Sequence, residues 1–224
     1  MKVVQSKQLA TTVTTKKKAP LEQTIALLKR YYPDAHCALD HKNPFELLVA
    51  TVLSAQCTDE RVNMVTPALF AKYPTPEAMS KSPLSSLETL VRSTGFFKNK
   101  AKNLKSAATD LVKKHAGKIP QDLEALVELA GVGRKTANVV LGNAFDIPSG
   151  IVVDTHVTRL SNRLGWVKTE NAVIIEKQLC KVVPQDDWIL LSHLLISHGR
   201  AVCKARKPDC DHCFLETTCP KRGV

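Results

Sequence analysis

The stretch LAGVGRKTANVV, residues Leu129 to Val140, decides the reading of this chain. It reads as the end of one helix, a glycine turn and the start of a second helix with a lysine on its first turn. Gly131 and Gly133 bracket Val132, so the backbone can take positive φ on either side of a buried apolar plug, and little side chain covers its amides. Those amides, with the free N–H groups of the following helix, would form a site for a phosphate. Arg134 adds positive charge, and Lys135 offers an amine that serves either as charge or as nucleophile. The alternative is an ordinary helix corner, which glycines also serve.

Working outward, the helix entering the turn runs from Asp122 to Leu129. Its partner from Arg134 to Ala144 is apolar on one side through Ala137, Val140 and Leu141. Upstream lies GFFKNKAKNLKSA, in which Phe96 and Phe97 stand at the tip of a helix-helix corner, ahead of a lysine-rich helix that Gly117 ends. These aromatics beside Lys98, Lys100 and Lys102 read as core plus a solvated face or, in a DNA-binding protein, as a wedge with phosphate contacts. Ser82-Pro83 caps a helix with Leu84, Leu87, Leu90 and Val91 inward and Gly95 as its stop. Val62 to Tyr73 and Pro76 to Lys81 form a medium and a short helix, with a kink or restart at Pro67.

Nearer the start, Asn43-Pro44-Phe45-Glu46 is a helix opening, with Asn43 at N-cap, Pro44 at N1 and Glu46 able to reach back. The helix behind it, FELLVATVLSAQ, is apolar nearly all round, which suits the middle of a bundle, and it is too short to cross a bilayer. It runs out into Ser54, Gln56, Thr58 and Asp59, which either present side chains on a rigid support or simply cap helix ends. Pro20 opens a further helical pattern through Leu21, Ile25, Leu28 and Tyr32, and Pro33 stops it.

Downstream of the glycine turn, Asp154 precedes Thr155-His156-Val157 as an N-cap residue does, and capping alone would explain an aspartate there. Further helices run from Glu170 to Val183 and from Asp186 to Ser197, separated by Pro184. No period-2 run and no Asn-Gly or Asp-Gly hairpin occurs, so the fold class is all-α.

The composition sets bounds. A length of 224 residues suits one large or two small domains, and 44% hydrophobic content supports a packed core and excludes disorder throughout. The net charge of +11 and pI near 9.4 imply a polyanionic partner. Lys2, Lys7, Lys16, Lys17 and Lys18 lie in an acid-free stretch, so residues 1–19 read as a disordered basic tail, a solvated or loosely DNA-associated arm. No apolar segment reaches membrane-spanning length, and the first thirty residues lack the core of a secretion signal. The expectation is a cytoplasmic monomer with no membrane partner.

Of seven cysteines, four crowd into the last 22 residues. That distribution argues against a disulfide framework and for a metal site in a reducing compartment. Cys203, Cys210, Cys213 and Cys219 are spaced C-x6-C-x2-C-x5-C, and four thiolates so close can wrap one 4Fe-4S cluster. Zinc is the rival, though zinc ribbons supply two close pairs and only Cys210 and Cys213 form one here. Lys204, Arg206, Lys207, Lys221 and Arg222 surround the loop and mark it as a second contact for a DNA backbone. Cys37, Cys57 and Cys180 have no metal spacing and read as small buried hydrophobes.

The pieces FELLVATVLSAQCTD, GFFKNKA, LAGVGRKTANVVLGNAF, VDTHV and HGRAVCKARKPDC, with the cysteine spacing, make the chain resemble bacterial endonuclease III from about Pro20 to Cys219. That family is the DNA glycosylase/AP lyase of the helix-hairpin-helix superfamily. The resemblance implies a six-helix barrel over residues 37–147 and an iron-sulfur domain from residues 20–36 and 148–224. It implies a substrate of duplex DNA carrying damaged pyrimidines or abasic sites, with the lesion flipped into the cleft between the domains.

The resemblance makes Lys135 the nucleophile and Asp154 the essential carboxylate. An amine can attack C1′, expel the base and hold the sugar as a Schiff base, whose acidified 2′ proton permits β-elimination of the 3′ phosphate. Only an uncharged amine attacks, and a free lysine of pKa ~10.4 is uncharged about once in a thousand at pH 7.4. The positive end of a helix pushes an amine toward that form, whereas a carboxylate's field pushes the other way. Asp154 is therefore assigned first to stabilising the cationic sugar and second to accepting a proton. Gln56 and Phe96 are implied to fill the gap left by the flipped nucleotide, Gln56 facing the orphaned base and Phe96 stacking. Gly131, Val132, Gly133 and Arg134 grip the backbone, and His156 either lies near the sugar-phosphate or is a helix-start residue. Phe96 stands where leucine is common, Ala130 where proline is, and Cys57 where alanine is. The rivals are a monofunctional glycosylase of the superfamily, which lacks the lysine, and a non-catalytic DNA-binding module with a redox-sensing cluster.

Overall fold

A computed structural model describes residues 18–224, so the basic tail up to residue 17 lies outside the described residues. Ala19, which the sequence assigned to the tail, is fully buried. Its N–H donates to the Leu164 carbonyl at 2.8 Å, and its carbonyl accepts from the Trp166 indole at 3.1 Å. Ala19 therefore belongs to the packed structure and not to the tail in which charge alone placed it.

Eleven α-helices occur among the described residues, with no strand. They are α1 (Leu21–Tyr31), α2 (Pro44–Leu53), α3 (Asp59–Lys72), α4 (Pro76–Ser80), α5 (Leu84–Val91), α6 (Phe97–His115), α7 (Leu123–Val127), α8 (Arg134–Phe145), α9 (Thr155–Arg163), α10 (Ala172–Cys180) and α11 (Trp188–Ala201). They serve two hydrophobic cores. The first draws on residues from Leu39 to Leu141, with α2 against α8 and α6 against α4 and α5. The second joins α1 and Ala19 to residues from Ile151 to Leu215, with α11 against α1 and α9.

Helix α2 sits inside the first core because no face of it is polar: every residue from Phe45 to Leu53 is buried. Its opening follows cap chemistry, with Asn43 Oδ1 accepting from Glu46 N–H at 2.9 Å and Glu46 reaching back to Lys42 N–H at 2.8 Å. It ends three residues before Gln56. Ser54 turns its hydroxyl onto the Thr51 carbonyl, and Gln56 itself takes a left-handed conformation, φ 52°. Thr58 then caps α3, which starts three residues earlier than the apolar pattern indicated and continues through Pro67.

Three other local expectations change. Ser82 is not a cap: its hydroxyl bonds back to the Met79 carbonyl at 2.6 Å, and Pro83 precedes α5 without a side-chain cap. Between α5 and Gly95 the chain takes one 3-10 turn, Arg92–Thr94. Lys100, expected on the solvated face of α6, is buried, because α6 leans that position against the ends of α2 and the 3-10 turn. Phe96 and Phe97 divide the roles that the sequence left open. Phe97 packs on the first core, while Phe96 is 66% exposed in a left-handed turn, φ 48°.

Candidate active site

The glycine turn joins α7 to α8. Gly131 has φ 79°, where an added Cβ would also meet the Asn103 side chain at 2.8 Å, so a side chain is excluded twice over. Gly133 differs from expectation, being extended at φ −93° and ψ 173°. A Cβ there would meet nothing within 4 Å, so its value is an uncovered approach to the helix start. Val132 is the buried plug that holds the turn down. No side chain caps α8, which leaves its first-turn N–H groups facing outward.

Lys135 is exposed on that first turn and, among the described residues, has no hydrogen bond or ion pair. It lines a cleft of about 600 Å³ that both cores wall. Gln56, Cys57 and Asp59 come from the first core's side, and Asp154, His156, His193 and Arg200 from the second. The two walls are tied at the rim by Arg200 Nη2 and Asp59 Oδ2, 2.7 Å apart.

Asp154 does what its N-cap position foretold, and more. Its Oδ1 accepts from His156 N–H and Val157 N–H at 2.8 Å each, and its Oδ2 lies 2.9 Å from His156 Nδ1. The cap and the cleft carboxylate are the same group, held in one orientation by three donors. His156 is thus tied to Asp154 by both its backbone and its ring. Gly199 lets this end of α9 approach α11: a Cβ there would meet His156 Cδ2 and Arg159 Nη2 at 2.9 Å. His193, deeper in the cleft, donates from Nε2 to Asn143 Oδ1 at 2.7 Å. Burial, then His36, pushes its pKa down.

Arg134 is engaged rather than free. It holds Glu176 of α10 with three contacts of 3.0–3.1 Å, and Asn138 donates to the same carboxylate at 3.0 Å. Phe96 and Gln56 are both exposed in the left-handed turns described above. Phe96 lines none of the cleft's walls, and Gln56 does.

The four C-terminal cysteines line a single cavity whose apolar wall is Leu160, Leu164, Val202 and Leu215 and whose polar lining includes Arg163 and His198. Donors are aimed at their sulfurs: Arg163 Nη1 at 3.3 Å from Cys203, Leu215 N–H at 3.4 Å from Cys213, and Lys221 N–H at 3.4 Å from Cys219. His198 Nε2 lies 3.6 Å from Cys213 Sγ, and its Nδ1 accepts from the Tyr32 hydroxyl at 3.0 Å. Burial pulls the His198 pKa down to about 4, so it stays neutral. Such donors suit thiolate ligands, and the donor set fits an iron-sulfur cluster. Among the described residues, no three Cys, His, Asp or Glu side chains converge as a single-ion site.

Arg163 further holds the loop's backbone through the carbonyls of Lys204 at 2.7 Å and Ala205 at 3.1 Å. Lys204, Arg206 and Lys207 are left exposed on the outer side. The sequence reading gave no role to Arg163, His198 or Glu176 and did not pair Asp59 with Arg200, because each of these contacts joins residues distant in the chain. Cys37 and Cys57 pack against the first core and Cys180 against the second.

The chain matches the family model for HhH-GPD superfamily base excision DNA repair proteins over residues 49–185. It is 52% identical over 204 residues to endonuclease III of Synechocystis sp., spanning 91% of this chain and 93% of that one. It is 41% identical over 202 residues to endonuclease III of Escherichia coli K12, spanning 90% and 95%. A solved endonuclease III in a non-covalent complex with DNA superposes with a TM-score of 0.85 at 46% identity, over 89% of this chain and 93% of that one. A trapped covalent endonuclease III–DNA intermediate superposes with a TM-score of 0.84 over the same shares. A thermostable thymine-DNA glycosylase, 22% identical, shares the fold with a TM-score of 0.79.

Proposed function

Because this chain belongs to the endonuclease III family of helix-hairpin-helix base excision repair proteins, we propose that Lys135 is its nucleophile and Asp154 its essential carboxylate. The chain is a DNA glycosylase/AP lyase of base excision repair. Its substrate is duplex DNA with oxidised pyrimidines or abasic sites, and it acts as a monomer in the bacterial cytoplasm. No helix among the described residues is long and apolar enough to cross a membrane.

One observation carries the assignment. An amine with no partner among the described residues, on the first turn of an uncapped helix, and a carboxylate fixed by three donors line the same cleft, one from each core. The Lys135 amine attacks C1′ of the flipped nucleotide, the base leaves, and the nitrogen holds the sugar as a Schiff base. Asp154, unable to swing away from the cleft, stabilises positive charge on the sugar as the base departs. Loss of the 2′ proton then expels the 3′ phosphate. The amides of Gly131 and Gly133 and the start of α8 hold the strand's phosphate, while the Val132 N–H donates to the Leu129 carbonyl at 3.0 Å and leaves Val132 to hold the turn in place, and His156 lies near the sugar-phosphate. Gln56 and Phe96 fill the gap in the duplex.

We propose the division into residues 37–147, and 20–36 with 148–224, which the two separate cores support. Cys203, Cys210, Cys213 and Cys219 would hold a 4Fe-4S cluster. Four thiols around one cavity, not converged on a point, suit a group several atoms across better than a lone zinc ion. Bound there, such a cluster would tie the four cysteines together, and Lys204, Arg206 and Lys207 on the loop face a DNA backbone.

The test is borohydride reduction of the protein with duplex DNA containing one abasic site. A covalent adduct is expected with the unaltered protein and none with Lys135→Gln. An adduct of undiminished yield from Lys135→Gln would overturn the assignment.

A further inference from the structure

Lys100 lies on the first turn of α6 and is only 5% exposed. Its Nζ donates to the Leu53 carbonyl at 2.8 Å and to the Thr94 carbonyl at 2.7 Å. Leu53 is the last residue of α2, and Thr94 the last of the 3-10 turn. Three residues after Leu53 stands Gln56, and two after Thr94 stands Phe96. Both are non-glycine residues in the left-handed region, at φ 52° and φ 48°, and both are exposed. Such conformations are costly and persist only where the surroundings impose them.

A buried ammonium with no carboxylate partner is an expensive way to fill a core. An apolar side chain would satisfy the packing, but it would not bind two carbonyls from segments 47 and 6 residues away in sequence. We propose that Lys100 is a positioning residue that clasps the two turns together and so fixes the separation of Gln56 and Phe96 as they enter the duplex. This rests on the reading of Gln56 and Phe96 as the gap-filling pair. The amine is well suited to the task, since even when uncharged it retains two N–H donors for its two acceptors. Burial pushes its pKa down from the ordinary 10.5 and makes that form more accessible.

The experiment uses the cluster-loaded full chain and measures single-turnover trapping on an abasic site in a duplex and on the same site in a single strand, where no gap needs filling. Lys100→Met is expected to slow the duplex reaction by roughly 10- to 100-fold. Its single-strand reaction should stay within about twofold of the unaltered protein, and adding Gln56→Ala and Phe96→Ala should slow the duplex reaction little further. Equal slowing on both substrates would reduce Lys100 to a general stabiliser. No slowing on the duplex, where Gln56→Ala and Phe96→Ala do slow it, would also overturn the proposal. If neither Gln56→Ala nor Phe96→Ala affects the duplex reaction, the gap-filling reading fails first and the clasp's role with it. Should Lys100→Met not fold, Lys100→Gln, whose shorter side chain holds its amide N–H groups back from the two carbonyls, is measured on the same pair of substrates against the same outcomes. Hydrogen exchange on the unaltered protein gives an independent reading: amides 54–57 and 94–97 should open in a single step, and separate opening would contradict the clasp.

Discussion

Arg134 Nε lies 3.1 and 3.0 Å from the two carboxylate oxygens of Glu176, and Arg134 Nη2 lies 3.0 Å from the first of them. The pair ties the residue beside Lys135 to a helix of the other core. Glu176 is 7% exposed and also accepts from Asn138, whose Oδ1 accepts from the Ser149 hydroxyl at 2.9 Å. Gly150 makes room, since a Cβ there would fall 2.2 Å from Glu176 Oε1. The bonded carboxylate raises the guanidinium's pKa, so the arginine stays charged.

Loss of this tie should be felt in both stability and chemistry. Glu176→Ala is expected to lower unfolding stability by about 2 kcal/mol, less than for a fully buried pair because Arg134 is half exposed. It should also slow Schiff-base formation, since the α8 start loses its anchor. Denaturant unfolding and borohydride trapping measure the two effects, and a variant normal in both would show the pair to be idle.

Asp154 combines a helix cap with the carboxylate proposed for catalysis, and two substitutions separate the roles. Asp154→Asn keeps an oxygen for His156 N–H and Val157 N–H, so the melting temperature should hold while base removal falls by about 100-fold. Asp154→Ala should lose about 1 kcal/mol of stability in addition. Equal activity in Asp154→Asn and the unaltered protein would remove the carboxylate from the mechanism.

The cysteine loop should depend on the proposed 4Fe-4S cluster. Cys213→Ala is expected to purify with little iron or sulfide and with residues 203–219 open to protease, while the α2 core stays protected. In the loaded protein, replacing Lys204, Arg206 or Lys207 by alanine should each flatten the plot of log affinity against log salt by about 0.9. An unchanged slope would take that side chain away from the DNA.

His193 gives the acid side of the stability profile a defined sign. Its folded pKa lies below the unfolded value of 6.5, mainly through burial, so the folded protein holds it neutral. The stability tied to it is complete above pH 6.5 and is lost as pH falls toward the folded pKa, because the unfolded chain takes up the proton first. Urea midpoints at about pH 7.5 and about pH 5.5 should therefore differ more in the unaltered protein than in His193→Gln. An identical pH dependence in the two would contradict the shift.

The sequence by itself determined the glycine turn, the opening of α2 at Asn43-Pro44, the capping place of Asp154 and the convergence of four cysteines on one loop. Each is written within one or two turns of chain, where cap chemistry, glycine and helical periodicity act directly. The roles of Lys135 and Asp154 came from matching several such motifs to a family, not from any one of them. Only the tertiary structure buried Lys100 beneath two turns, set Glu176 against Arg134, and placed Arg163 and His198 around the cysteines. Apart from Thr94, six residues from Lys100, those partners lie 15 to 47 residues apart in sequence. No local pattern encodes them: whether a lysine is solvated or clasped depends on which helix ends are packed over it, and packing decides that across the whole chain at once.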